Sequence, residues 1–391
     1  MAESPKTFER PRLSFTVLLP ARHEEQVIGE TIFRLSKANY PKNLVNILLI
    51  CDAGDIGTVD AAKAIIRKYD ITNVQVITYS DLPISKPHGL NVGLKLAKNN
   101  VTVIFDAEDN VHPDIFNVAN TLYNQTDADI IQAGTQLMDY DSRWFSSHNV
   151  LEYYFWFRSR MHFHAKVGMV PLGGNTVFFK TDQIKQMGGW SEHCLTEDAE
   201  IGIRMSTRGA KIIATYDAEH VTREETPATI SQFIKQRTRW NQGFIQILKG
   251  KQWRAYDTQF KKLFCLYTLS FPFVQTILFI ITPFIIILGF AVHMPVIITL
   301  FSFTPILIVA IQVIINTVGL YEFTNEQNLK KKLPIFILMV CTFGFYQILL
   351  GLGAIRATYR ELRGVNNWEK TAHSGQHRQE SIDKTLQAVN T

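Results

Sequence analysis

Carboxylates occur in this chain at places suited to chemistry on an oxygen-rich, charged substrate. Asp106-Ala107-Glu108-Asp109 follows directly on the apolar run Val101 to Phe105, so one tight turn carries several acids. Oxygen ligands gathered in this way suit Mg²⁺ or Mn²⁺, and an ion there would bridge a diphosphate; Asp106, Glu108 and Asp109 are the candidate ligands. A solvated acidic turn gives the same pattern. Thr196-Glu197-Asp198 leads into a helical run, Ala199 to Thr207, and Asp198 is the candidate general base, able to take a proton from an acceptor hydroxyl. The bland alternative is that Thr196 caps the helix and the acids favour its dipole.

A third group is Gln236-Arg237-Thr238-Arg239-Trp240 on a helix predicted from Ile230 to Leu248. Residues three or four apart share a helix face, so Gln236, Arg239 and Trp240 are expected to point the same way. Arginine suits phosphate oxygens and an aromatic face suits a sugar ring. A helix lying on a membrane surface accounts for the same residues. Asp52 at a strand end and Glu24 in Pro20-Ala21-Arg22-His23-Glu24-Glu25 are candidates to contact a nucleoside, and Lys86 to neutralise phosphate.

These residues need elements to hold them. Short β-rich runs at Phe15 to Leu19, Val45 to Cys51, Val74 to Thr78 and Val101 to Phe105 alternate with helical stretches at Gln26 to Ser36, Thr58 to Tyr69 and His88 to Ala97. That order predicts parallel βαβ units, an α/β fold whose ligands bind beyond the carboxyl ends of the strands. Ala21 to Glu25, Asp52 and Asp106 to Asp109 all fall there. Beyond them the sequence predicts a strand at Ile130 to Thr135, an aromatic helix from His148 to His164, a glycine turn at Gly173 and Gly174, and a strand from Thr176 to Lys180.

Hydrophobic residues make up 46% of the 391, yet they are unevenly spread. Apolar blocks run from Leu263 to Val292, Val296 to Leu320 and Leu333 to Ile355, each with the roughly 20 residues that crossing a bilayer requires. They lack the polar face of a buried bundle. Met1 to Leu13 is polar and carries no secretory pattern, so the catalytic region is expected in the cytosol of a multi-pass protein of the cell membrane. Four cysteines without a paired spacing suit a reducing compartment. The net charge of +5 includes basic residues at Lys235 to Arg239, Lys249 to Arg254, Lys261 and Lys262, ahead of the first apolar block, which favours anionic membrane lipids. No nucleic-acid motif accompanies them, and no nucleic-acid partner is expected. The polar tail, from about His373, is expected to be mobile.

Taken together, PARHEE at 20 to 25, CDAG at 51 to 54, SKPHGLNVGL at 85 to 94, DAED at 106 to 109, GGN at 173 to 175, TED at 196 to 198 and QRTRW at 236 to 240 resemble the family 2 glycosyltransferases. The likeness is closest to the membrane-bound branch of cellulose, chitin and hyaluronan synthases and covers roughly Ser14 to Gly250. It implies a GT-A fold, a Rossmann-like mixed sheet with flanking helices, and inverting transfer from a nucleotide sugar, a UDP-sugar in the first instance. By the same matching Glu24, Asp52, Lys86, Asp106, Gln236 and Arg239 would bind the donor. Asp106 and Glu108, with Asp109 as substitute, would bind the metal, and Asp198 would act as base. Gly174, Asn175, Glu197 and Trp240 would line the acceptor side. The expected layout is a tail at 1–13, a catalytic domain at 14–250, a membrane region at 251–355 and a polar tail at 356–391.

The chain departs from the family pattern in several places. CDAG keeps one aspartate of the usual pair, and DAED has glutamate where the second metal-binding aspartate is expected. Synthases of that branch usually carry spans before the catalytic domain, and no apolar block long enough precedes Phe15. Three crossings from the cytosol would also put Arg356, Arg360, Arg363 and Lys370 outside, against the positive-inside tendency. The first block, with Pro272 and Pro283, is therefore suspected of being interfacial or re-entrant. The acceptor reads first as a growing β-linked polysaccharide, which so few helices would pass only as an oligomer or with an export partner. The alternative is a lipid that receives one or a few sugars.

Overall fold

The computed structural model describes residues 4–291, 304–367 and 369. Val296, Lys370 and the tail from His373 lie outside the described residues. β1 (Phe15–Ala21) is apolar on both faces, as a strand covered from both sides must be. It pairs in parallel with β2 (Val45–Asp52) on one side and β4 (Val101–Ile104) on the other, with Phe15 opposite both Val45 and Val101. β3 (Val74–Tyr79) adds beside β2, and α1 (Ile28–Ser36), α2 (Ile56–Lys68) and α3 (Lys86–Leu96) make the connections. The predicted βαβ order is the observed one.

Among the described residues seven strands form the sheet, in the order β3-β2-β1-β4-β7-β5-β8, with β5 at Ile130–Ala133, β7 at Val177–Lys180 and β8 at Ile212–Thr215. β7 runs antiparallel to both its neighbours, which makes the sheet mixed. Alternate side chains build a core on each face: Phe15, Val17 and Leu19 lie on one side with Phe116, and Leu18 lies on the other with Leu48, Ile50 and Leu90.

The single strand predicted at Ile130 to Thr135 is broken at Gly134, where a Cβ would lie 2.8 Å from the Tyr216 ring. The chain leaves the main sheet there. β6 (Thr135–Leu137) instead pairs with β9 (Thr222–Glu224). α4 (Ile115–Gln125) follows the acidic turn. The predicted aromatic helix is interrupted as well: α5 (Ser146–Phe155) and α6 (Met161–Val167) are joined by a π-helical turn at Trp156–Arg160. This turn carries Phe157 against Gly173, where a Cβ would lie 2.9 Å from the ring. α7 (Thr181–Gln186), α8 (Glu197–Thr207) and α9 (Ile230–Gly250) complete the catalytic half. Thr229 caps α9 by accepting from the Gln232 amide at 3.2 Å.

Among the described residues three further helices, α10 (Gln259–Ala291), α11 (Thr304–Glu326) and α12 (Leu333–Leu362), are long and apolar enough to cross a membrane. α10, suspected of being interfacial or re-entrant, runs as one helix through Pro272 and Pro283, and the Thr276 hydroxyl donates to the Pro272 carbonyl at 2.7 Å. α12 packs along α9. At the crossing a Cβ on Gly353 would lie 2.7 Å from the Cβ of Arg237.

Candidate active site

The acidic turn is folded from within. Asp109 is 1% exposed, and its Oδ2 accepts the Asp106 amide at 2.8 Å while its Oδ1 accepts the Asn175 side-chain amide at 2.9 Å. Asn175 also donates to Glu224 and accepts from the Thr135 hydroxyl at 2.7 Å. Burial pushes the Asp109 carboxyl well above the usual range, with Glu224 and Asp106 adding to the effect. Sequence reasoning expected Asn175 to line the acceptor side. Its side chain is instead buried behind the turn, because donors and acceptors that deep must find one another.

The antiparallel insertion of β7 brings distant segments together. The Thr176 amide donates to the Ile104 carbonyl at 2.8 Å, so Gly174 and Asn175, entering β7, sit beside Asp106, leaving β4. Lys86 begins α3 after Ser85, which caps the helix. Its Nζ lies 2.5 Å from Asp106 Oδ1 and donates to the Gly174 carbonyl at 3.0 Å. A Cβ on Gly174 would meet Asp198 Oδ2 at 3.0 Å and Lys86 Nζ at 3.6 Å, so a side chain there would press on the Asp198 carboxylate.

Asp198 lies in the first turn of α8 and its Oδ1 accepts the Ala199 amide at 2.7 Å. Thr196 holds the N-cap position but makes no capping bond. It is pressed against Gly243 of α9, where any Cβ would collide with its side chain and backbone. Burial raises the Asp198 carboxyl above its usual range, against the opposing pull of the Ala199 amide, Lys86 and Arg239. Burial and the neighbouring Asp198 push Glu197 up to about 7. Burial likewise raises Asp106, opposed by Lys86 and Arg239. For Lys86 burial favours the neutral amine, but Asp106 and Glu197 outweigh it and hold the ammonium above the ordinary lysine range. The centre thus sets Lys86 and Arg239 among Asp106, Glu197 and Asp198.

Gln236 and Trp240 do not join Arg239 in that group as directly as their spacing suggested. Gln236 is buried, and its Oε1 has no hydrogen-bond partner among the described residues. Trp240 lies beside Tyr153, ring centroids 6.3 Å apart, with the Arg237 guanidinium 4.3 Å from its ring centre. Arg237, given no role by the sequence, holds α9 in place. It is buried, donates to Asn149 and Glu152 at 2.5 Å each, and stacks on Phe233 at 4.8 Å. The signal was present in its spacing, four residues after Phe233 and three before Trp240.

Asp52, at the end of β2, stands on the far side of β1 from Asp106, while Glu24 lies in the loop that follows β1 itself. Two strand spacings of about 4.8 Å put roughly 10 Å between the ends of β2 and β4. Asp52 accepts the Gly54 amide at 3.1 Å, and the loop bearing Glu24 is tied down by the His23 amide on Asp55 at 2.6 Å and the Glu24 amide on Thr58 at 2.9 Å. Asp55 was not foreseen. Its carboxyl, which burial would raise, is held below the usual range by the His23 amide and by Thr58.

The donor set suits a hard divalent cation. Asp106 and Glu108 remain partly exposed at the strand end, and Mg²⁺ or Mn²⁺ needs only one or two carboxylates when substrate phosphates supply further oxygens. The sequence also offered Asp109, whose oxygens both accept the protein donors described above. Elsewhere among the described residues, ligand atoms of His112, Glu219 and His220 converge to within 4.8 Å. His112 Nδ1 accepts the Asp114 amide at 3.2 Å, so the neutral ring carries its proton on Nε2 and presents no lone pair to an ion.

Comparison with known proteins bears on the fold and on the family. A solved mannosyltransferase from Pyrobaculum calidifontis, in complex with GDP-Man and Mn²⁺, shares the fold with a TM-score of 0.54 at 17% identity, over 91% of this chain and 90% of that one. A probable glycosyltransferase, YdaM, of Bacillus subtilis is 26% identical over 243 residues, 60% of this chain and 56% of that protein. A beta-monoglucosyldiacylglycerol synthase of Trichormus variabilis is 23% identical, over 59% of this chain and 49% of its own length. A poly-beta-1,6-N-acetyl-D-glucosamine synthase of Staphylococcus aureus is 24% identical, over 68% and 62% respectively. The chain therefore spans about half to three-fifths of the length of these curated relatives. A cellulose synthase profile matches residues 178–325. The profile described as Glycosyltransferase like family 2 matches residues 11–243, most of the catalytic half, and the chain belongs to that family.

Proposed function

We propose that the protein is an inverting hexosyltransferase of the membrane that takes its sugar from a nucleotide sugar, a UDP-sugar in the first instance. The observation that carries this reading is the contact of Lys86 with both Asp106 and Gly174, against which Asp198 Oδ2 is packed. Cation, diphosphate-side acid and candidate base thereby share one wall of the site.

In this reading Asp106 and Glu108 hold a divalent cation, which when bound supplies charge to the donor diphosphate. Lys86 and Arg239 stabilise the same oxygens as negative charge grows on them. Asp198 takes the proton of the acceptor hydroxyl while that oxygen bonds to the anomeric carbon and the carbon–diphosphate bond breaks on the opposite face. Glu24 and Asp52 lie where the nucleoside would extend, beyond β1 and β2. Gln236 serves the donor through its unpartnered oxygen. Trp240 and Tyr153 offer ring faces to the acceptor sugar beside Gly174 and Glu197. Asn175 and Asp109 support the turn.

The acceptor is first a growing β-linked polysaccharide. That reading is supported by the cellulose synthase profile and the relative named as a poly-N-acetylglucosamine synthase. The relative named as a glycolipid synthase favours the second, a lipid receiving one or a few sugars. The catalytic half, 14–250, is taken to face the cytosol. The basic residues Lys249, Lys251, Arg254, Lys261 and Lys262 next to α10 support that side.

A panel of nucleotide sugars tests the reading, scored by nucleotide release and product mass with the purified protein in lipid. Transfer from a UDP-sugar to give a ladder of products supports the polymer, and a single lipid adduct supports the alternative. Nucleotide release that no acceptor and no donor in the panel elicits would sink both.

A further inference from the structure

We infer that α12 does not cross the bilayer but lies along its surface, packed between the catalytic domain and the headgroup boundary of one leaflet. This rests on reading α10 and α11 as membrane-crossing helices.

Both ends of α12 are fastened to the same water-facing domain. Just before it begins, Lys332 pairs with Asp141, and the Tyr140 hydroxyl donates to the Lys330 carbonyl. Where it ends, Lys249 of α9 donates to Glu361 at 2.6 Å, and Arg360 Nε donates to Gln242 at 3.0 Å. The middle is fastened too. The Tyr346 ring stacks on His148 at 4.6 Å, its hydroxyl donates to Glu152 at 2.6 Å, and Gly353 abuts Arg237. Met339, Phe343, Tyr346, Gly353, Ala357 and Arg360, three, four or seven apart, mark the buried stripe, which Leu349, Gly351 and Ala354 fill out. Thirty residues make a rod of about 45 Å, ample for a core of about 30 Å, yet a helix whose two ends touch one side of a membrane has not crossed it.

The opposite face is made for lipid. Ile337, Phe345, Ile348, Leu352 and Ile355 are exposed along its length, and Lys331 and Arg363 stand at its two ends. So continuous an apolar strip is not left in water, and flanking cations suit anionic headgroups.

α10 and α11 differ. α10 touches the domain near its start, where Phe264 stacks on His164 at 4.7 Å and Cys265 and Leu269 are buried. α11 does so near its end, through Leu320, Phe323 and the 3.0 Å pair of Glu326 with Arg158. Their other halves, from Ile277 to Leu288 and from Ile306 to Ile315, expose apolar side chains. One leaves the domain and the other returns to it, which makes an even number of crossings and keeps Arg356, Arg360 and Arg363 on the catalytic side. The sequence cast suspicion on the first apolar block; the geometry moves it to the third.

Cys341, on α12, is exposed, while Cys51, Cys194 and Cys265 are buried, so the full-length protein in vesicles takes a depth probe there directly. Ile337→Cys, Ile348→Cys and Ile355→Cys in a Cys341→Ser background extend the measurement along the helix. Quenching by lipids brominated at graded depths is expected to put all four sites at one shallow depth. Protease added to the catalytic face of sealed vesicles is expected to remove a C-terminal epitope. Depths that deepen to the bilayer centre and rise again, or an epitope protected on the far side, overturn the proposal while leaving the transferase reading intact. Full release of the protein by carbonate would remove the membrane reading on which the proposal rests.

Discussion

Lys86 Nζ lies 2.5 Å from Asp106 Oδ1, a pairing between the first turn of α3 and the acidic turn after β4 that spans 20 residues of sequence. Replacing the ammonium by Lys86→Met is expected to raise the donor KM by about 10- to 100-fold, the loss of one charge-assisted contact. Lys86→Arg should recover part of it. Isothermal titration with the nucleotide alone reports whether the loss lies in binding.

Asp198→Asn is expected to lower transfer by at least about 10²-fold, the usual contribution of a general base, with nucleotide affinity changed only slightly. In the native protein the acid limb of the pH–rate profile should lie above the ordinary aspartate range, because burial raises this carboxyl. A fully active Asp198→Asn protein removes the residue from the mechanism.

Glu197 makes a stability prediction. Its folded-state value of about 7 lies above the ordinary 4.5, so between those values the native state holds a proton that the unfolded chain has released. Stability therefore falls as pH rises through that window. Glu197→Gln cannot ionise, so its Tm should gain on the native protein between pH 5 and 7 and level off beyond. Calorimetry across that range in which the difference stays flat would contradict the raised value.

Chelation with EDTA is expected to abolish transfer and Mn²⁺ or Mg²⁺ to restore it. Glu108→Gln should raise the metal concentration needed for half-activation. Asp109→Asn should chiefly lower Tm, because it removes an acceptor that the Asp106 amide or Asn175 uses. A metal requirement shifted more by Asp109→Asn than by Glu108→Gln would reverse these roles.

Gly243→Ala tests the seat of α9. A methyl there strikes Thr196, and the overpacking should cost about 1–3 kcal/mol and lower kcat by displacing Arg239 from Asp198. Gly250→Ala, with nothing within 4 Å, serves as the control and should leave both kcat and Tm nearly unchanged.

β1, β2 and β4 were legible because their apolar runs are buried on both faces, and β3, at the sheet edge and partly exposed, because it falls in the same alternation with helices. Asp106 and Asp198 were legible because each stands where an element begins or ends. Gly174 was readable only by resemblance. Its apposition to Lys86 and Asp198 depends on β7 entering the sheet backwards, a long-range pairing with no local mark. The burial of Asn175 was hidden for the same reason: its partners Asp109, Thr135 and Glu224 come from three separate segments. The behaviour of α12 was hidden by composition, since its mean hydropathy of 2.2 hardly differs from the 2.3 of α10. What separates them is which side chains meet the domain.

The missing side chain of Gly353 has a further effect. It lets α9 and α12 approach closely, with Gly353 against the backbone and Cβ of Arg237. With α12 resting on the leaflet, the arginine and acids of the centre work roughly one helix thickness above the lipid. On the proposed function that spacing would act as a gauge: an acceptor hydroxyl would have to be presented at that height, whether at the tip of a lipid anchor or on the end of a chain lying along the surface.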